Sequence, residues 1–260
     1  MLPADDAILQ QIGARGEKII PFYRSLNTAK DLYQVWGGNS DWLYSARGIL
    51  NFVNELWTSK NLYRNTNAVS PEAETEFVKY VLLNDAAVKW HEFDHPTYGR
   101  IEIGGYKKNW GRTPPSFLLE EECHRNMAFT LYNADQMPLI RISQVQSDKL
   151  SDGLYRVWVT IENQRIVPTR AAQDVQHKIN PPDMVSLAGS DVKVLSAGLV
   201  LDRFFKRAQA VKRHPERVEV DTIPGMGAVR VQFIVRGSGR FTVTVDSAKG
   251  GLVSAEQGLP

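Results

Sequence analysis

The sequence predicts an α/β portion followed by an all-β, sandwich-like portion. Three observations predict it. Apolar residues recur at helical spacing through much of the first 137 residues, as amphipathic helices require. A short continuous apolar run, Ile49, Leu50, Phe52 and Val53, fills both parities, as in a strand buried on both faces. After Pro138 the pattern changes to period-two alternation, the pattern of half-buried strands. The division falls at 1–137 and 138–260.

Taken in order, residues 3–18 form a helix, with Asp5 or Asp6 near its start and Ile8, Leu9 and Ile12 on one face. A second helical piece spans Leu26–Leu32, Gly37-Gly38-Asn39 makes a turn, and Asp41–Ala46 makes a helical turn. Ile49–Leu56 is the buried strand, and residues 58–71 are loop. Ser70-Pro71-Glu72 starts a helix, with serine as cap, proline at the first position and acids in the first turn. Phe77, Val78, Val81 and Leu82 are its apolar face. Arg100–Ile103 alternates as a strand, and a strong helix runs from Phe117 to Asn133. In the second portion, Leu139–Val145 and Leu154–Asn163 form a hairpin across Ser151-Asp152-Gly153. Val192–Leu201, Val218–Val220, Val229–Val235 and Phe241–Val245 supply further strands. Six or seven short strands in about 120 residues predict a β-sandwich.

Bulk properties narrow the function. With 31 basic and 29 acidic residues the net charge is +2, which gives no electrostatic case for nucleic acid or an anionic membrane. A single cysteine, Cys123, excludes an internal disulfide framework and a multi-cysteine zinc site. No run reaches the length of a membrane span, and the first residues do not read as a signal peptide.

The chemistry-bearing stretch is Tyr33 to Glu55. Tyr33-x-x-x-Gly37-Gly38-x-x-Asp41-Trp42-x-Tyr44, then a Gly48-Ile49 turn and an apolar run ending in Glu55, resembles the carboxypeptidase A-like zinc metallocarboxypeptidases. Residues 90–99, the Ile101–Gly105 segment and Glu120–Asn126 resemble the longer bacterial members of that family, which are often exported. The resemblance implies a partial α/β/α catalytic domain: core 1–60, a two-strand-like insertion over 61–115 and a final helix over about 117–134. A β-rich domain follows at 138–260.

Carried over, Glu55 matches the general base that activates the attacking water. Tyr33 matches the mobile tyrosine that closes over the C-terminal end of a peptide or protein substrate. Ser40 matches a position on the floor of the specificity pocket, where a small neutral residue disfavours basic side chains; Asp41 matches an acid beside it. The family's zinc ligands, a His-x-x-Glu pair and a third histidine, lie upstream of the tyrosine. Residues 1–90 contain no histidine, and none of His91, His95, His124, His177 and His214 begins His-x-x-Glu. The resemblance therefore implies zinc in a full-length enzyme, no metal ligand in this chain, and a fragment inactive alone. The alternative is a non-catalytic pseudo-peptidase or binding module with a β-sandwich interaction domain.

Other residues have plainer readings. His91 and His95 lie beside Pro96, which argues against a helical metal pair. His124 reads as buried or capping, and Cys123 as a core thiol. Gly237-x-Gly239 reads as a turn, Lys206-Arg207 and Lys212–His214 as solvated loop, and Trp158 as strand packing.

Overall fold

In the computed structural model, which describes residues 1–64, 69–202, 204–205 and 207–260, α1 (Pro3–Ile19) opens the chain. Pro3 needs no N–H partner there, and Asp5 and Asp6 lie at the helix's positive end. A single π-helical turn, Thr28–Leu32, is capped by the Asn27 side chain. α2 (Asn39–Arg47) ends on Gly48 at φ +60°, a left-handed close that favours glycine. α3 (Ser59–Tyr63) and α4 (Pro71–Glu76) are capped by Thr58 and Ser70, and a π-helical turn, Phe77–Val81, follows α4. β1 (Ala87–His95) and β2 (Gly99–Tyr106) pair antiparallel, and α5 (Ser116–Asp135) follows.

From residue 140 strands dominate. They are β3 (Ile140–Ser151), β4 (Leu154–Asn163), β5 (Asp183–Ala188), β6 (Val192–Asp202), β7 (Arg207–Ala210), β8 (Arg217–Val220), β9 (Gly227–Gly237), β10 (Arg240–Ser247) and β11 (Gly251–Gly258). One short helix, α6 (Ala172–His177), interrupts them. A five-stranded sheet runs β3-β4-β9-β6-β7 and a four-stranded sheet runs β11-β10-β5-β8, with every pairing antiparallel. Alternate residues of both sheets meet in one core: Val157, Val159, Ile161, Val231 and Phe233 from the first, and Val185, Leu187, Val218, Val243 and Val245 from the second. That is the sandwich the alternation predicts. Gly153 closes the first hairpin at φ +67°, and Gly237 and Gly239 form the turn between β9 and β10.

The chain divides into two compact units. One comprises Met1–Ile12, Asn27–Phe52 and Tyr132–Pro260; the other comprises Gly13–Leu26 and Val53–Leu131. In the second unit, Gly16 lies against Phe129 so closely that a Cβ would come within 2.6 Å of the ring. Buried Glu122 accepts hydrogen bonds from the Tyr23 hydroxyl, Asn61 Nδ2 (2.8 Å) and Asn126 Nδ2 (3.0 Å). Burial and that carboxylate push the Tyr23 phenol well above its ordinary value.

Several expectations need correction. Among the described residues no strand forms before Ala87, and the sheet within 1–137 is the two-stranded β1–β2 pair. Ile49–Leu56 is irregular: Leu50 is buried, but Val53 and Leu56 are exposed. A run without neighbouring strands leaves its backbone donors and acceptors unpaired, so apolar content alone cannot make it a strand. Cys123 and His124 are exposed, because α5 turns Leu118, Glu122, Asn126 and Phe129 inward instead. Strands β5, β7 and β11 were not expected: β7 and β11 are edge strands with few large apolar residues, and β5 has only six residues. Lys206, and residues 65–68 of the expected loop, lie outside the described residues.

Candidate functional site

Within the unit that holds Asn27–Phe52, the segment Tyr33–Gly48 is built by local capping. The Asn27 N–H donates to Asp31 Oδ2 (2.7 Å), and the Asn27 side chain accepts from the Lys30 N–H. Asp6 holds the outside of this turn through Lys30 Nζ (3.0 Å) and Asn27 Nδ2 (3.2 Å). Tyr33 follows in extended conformation, its N–H donating to the Thr28 carbonyl (2.8 Å), with its side chain 65% exposed. The chain then bends at Gly37, φ +72°, and the Gly37 N–H donates to Asp41 Oδ2 (3.3 Å).

α2 starts just after this bend. Ser40 and Asp41 stand in its first turn, where a carboxylate is favoured by the helix dipole. Ser45 Oγ donates back to Asp41, and the Ser40 carbonyl accepts from Asn51 Nδ2 (3.2 Å). Trp36 and Trp42 are exposed, and the Arg47 guanidinium lies 5.9 Å from the Trp42 ring centre. Ser40 and Asp41 are thus adjacent on one turn, and Tyr33 precedes the bend at Gly37. Glu55 belongs to the other compact unit; it is exposed, and its carbonyl accepts from the Trp57 N–H (2.9 Å).

The far end of α2 carries a polar cluster that sequence reasoning missed. Tyr44 hydroxyl donates to Asp5 Oδ2 (2.9 Å) and accepts from the Leu2 N–H (2.9 Å). Burial and then Asp5 push the Tyr44 phenol up to about 12. The Asp5 carboxylate also accepts from the Ala172 N–H (2.7 Å) and the Gln173 N–H (2.9 Å). Fully buried Asp174 accepts from Lys249 Nζ (2.8 Å), Asn180 Nδ2 (2.7 Å), the Asn180 N–H (2.9 Å) and Arg170 Nε (3.3 Å). Burial pushes the Asp174 carboxyl up, but Lys249 and Asn180 outweigh it and hold it below the usual range. No local pattern joins Asp5, Asp174 and Lys249, so nothing short of the tertiary fold reveals the group.

The chain's histidines do not fit a zinc ion. His91 and His95 lie on β1, and His95 Nδ1 already accepts from the Thr97 (3.1 Å) and Tyr98 (3.3 Å) N–H groups. His91 Nδ1 lies 3.0 Å from the Lys89 carbonyl. Among the described residues no group of three His, Cys, Asp or Glu side chains is arranged to hold a metal ion, and no helix is long and apolar enough to cross a membrane. Elsewhere, Trp158 Nε1 donates to Asp148 Oδ2 (2.9 Å), and an open cleft of about 770 Å³ lies along β7 and β8, lined in part by Arg213, His214, Glu216 and Arg217.

Residues 139–257 match the family described as Domain of unknown function (DUF8731). That is less than half the chain. No curated protein matches it. Among solved structures, a conjugate transposon protein (27–141) from Bacteroides vulgatus is similar at 9% identity, over 46% of this chain and 82% of that one, with a TM-score of 0.27. A β-glycosidase from Bacteroides vulgatus is similar at 11% identity over 68% of this chain and 21% of that one, TM-score 0.26. A glycosyl hydrolase family 2 member from Bacteroides cellulosilyticus is similar at 17% identity over 46% of this chain, TM-score 0.23; the chain spans 15% of its length. Likenesses of this size say nothing of activity.

Proposed function

We propose that the chain is the C-terminal portion of a carboxypeptidase A-like zinc metallocarboxypeptidase that carries a β-sandwich accessory region. The observation that carries this reading is the unbroken order of rare residues from Tyr33 to Glu55. In it Glu55 is the general base and Tyr33 the hydrogen-bond donor that clamps the substrate's C-terminal end. A base of this kind contributes by taking and returning a proton within hydrogen-bond reach of the reacting atoms. The exposure of both side chains is compatible with those roles, since each has to reach substrate.

Ser40 and Asp41 are the floor and wall of the side-chain pocket. The Gly37 bend at φ +72°, which glycine adopts at low cost, supports a pocket wall built on the Gly37–Asp41 hydrogen bond. A neutral serine floor offers no counter-charge to a basic side chain, so uncharged C-terminal residues are the preferred substrates. The zinc and its ligands are required from a longer chain or a second polypeptide.

The test is a zinc-loaded longer protein assayed on peptides with free and amidated C-termini. The expected result is release of neutral C-terminal residues from the free peptides only. Glu55→Gln lowers kcat on the order of 10³-fold; turnover undiminished by that substitution sinks the assignment.

A second reading, a non-catalytic relative that binds through its sandwich, has one observation in its favour: these 260 residues contain no His-x-x-Glu. A genuine start signal directly upstream of Met1, together with a purified full-length product free of zinc, selects it over the peptidase.

A further inference from the structure

α2, which carries Ser40 and Asp41 in its first turn, ends on a bracket supplied by the sandwich. The Gly48 carbonyl accepts a hydrogen bond from Lys249 Nζ at 2.7 Å, and the same ammonium donates to buried Asp174 at 2.8 Å. Lys249 lies in the turn between β10 and β11. The Arg47 carbonyl, one residue earlier, accepts from Asn180 Nδ2 at 3.4 Å, and Asn180 is itself tied to Asp174. The fit leaves no slack: a Cβ on Gly48 would come within 2.7 Å of the Asp174 Cβ. One turn back, Tyr44 is bound by Asp5, which caps the start of α6.

The chemistry is specific to a helix end. The last carbonyls of a helix lack intrahelical partners and carry its negative pole, so a lysine ammonium there is favoured on both counts. A buried carboxylate–ammonium pair is weak evidence for stability, and its best-attested use is to fix geometry. α2 has nine residues, roughly 13 Å from end to end at helical rise. A tilt of about 10° at the bracket therefore displaces the first turn by roughly 2 Å. Errors of about 1 Å in substrate position are enough to impair an enzyme severely.

We infer that Lys249 is a positioning residue for the pocket: through Gly48 and Asp174 it fixes the axis of α2 and so the placement of Ser40 and Asp41. This rests on the peptidase reading above. It makes the sandwich a working part of substrate recognition, although none of its residues need touch the substrate.

Two measurements test it. In the chain as it stands, Lys249→Met raises backbone hydrogen exchange across residues 43–51 at least 10-fold and leaves Val157, Val159 and Val231 in the sandwich core unchanged; Lys249→Arg restores protection. Equal exchange in Lys249→Met and the parent overturns the bracket. If Lys249→Met does not fold, Asn180→Ala, which removes the bond to the Arg47 carbonyl and one tie on Asp174, carries the same contrast. In the longer zinc-bearing protein, Lys249→Met raises KM for a neutral C-terminal residue about 10-fold and moves kcat less than 3-fold, with recovery in Lys249→Arg. An unchanged KM alongside raised exchange overturns the positioning role. Turnover that survives Glu55→Gln overturns the peptidase reading, and the recognition role with it, but leaves the exchange result standing.

Discussion

Asp174 and Asp183 are both buried in the same compact unit, yet their carboxyls are driven in opposite directions. Asp174 has a cation and an amide that outweigh burial, so its folded value lies below the unfolded one of about 3.9. Its stabilisation is complete above that unfolded value and is lost as pH falls through the lower folded one. Burial dominates at Asp183, raising its carboxyl despite hydrogen bonds from Ser247 and Thr169. Between the unfolded and the raised folded value the native state binds more protons, so stability falls as pH rises through that window. Two outcomes are expected from melting curves between pH 3 and 7. Asp183→Asn removes the decline above pH 4. Asp174→Asn is less stable by about 3 kcal/mol at pH 7, and the gap narrows below pH 4. A gap that widens on acidification refutes this ordering. Little at this scale was legible beforehand. The Tyr33–Glu55 residues stand out by type and spacing, whereas Asp174 and Lys249 are 75 positions apart, and only the tertiary fold brings them together.

Elements were legible where one local rule decided them. Ser70 and Pro71 start α4 through the cap and N1 preferences, and the alternation in β4 and β9 survives because both sheet faces are fixed by one core. The apolar run at Ile49–Leu56 failed because a strand is a property of its neighbours as well as of its own residues. Gly16 is a poor helix former, but it is where α1 accommodates the Phe129 ring of α5. Because Phe129 is buried, the ring cannot swing away from a new methyl group. Gly16→Ala therefore costs about 1–3 kcal/mol through overpacking, more than the helix propensity of alanine returns. Phe129→Ala alone costs about 3–5 kcal/mol. In the double variant the methyl occupies part of the vacated space, so the combined loss is smaller than the sum. Urea denaturation of the three variants checks this, and strict additivity means that the two residues do not press on each other.

At the scale of the whole molecule the two units differ in how their apolar residues are used. The sandwich gathers its buried residues into one contiguous core in which Val157, Val159, Val185, Phe233 and Val243 are inaccessible to solvent. The other unit buries Ile20, Leu62, Val78, Leu118 and Phe129 but leaves Tyr80, Leu83, Trp90, Tyr98, Tyr106 and Phe117 exposed. Its β1–β2 sheet has only two strands, and a two-stranded sheet has little stability of its own in water. The change from helical to alternating pattern near Pro138 was readable because periodicity is local. The assembly of each unit from separated segments was not, because it depends on contacts that periodicity does not encode. Regions with few buried apolar contacts open at lower free energy, and proteases cut them first. Limited trypsin digestion should therefore begin at Lys79, Lys89, Arg100, Lys107, Lys108 or Arg112, all exposed in that unit. A fragment retaining the sandwich strands from Ile140 to Gly258 should outlast the intact chain, and mass spectrometry of the time course identifies the cuts. First cleavage within β4 or β9, at Arg156 or Arg230, would mean that the sandwich core is not the more stable part.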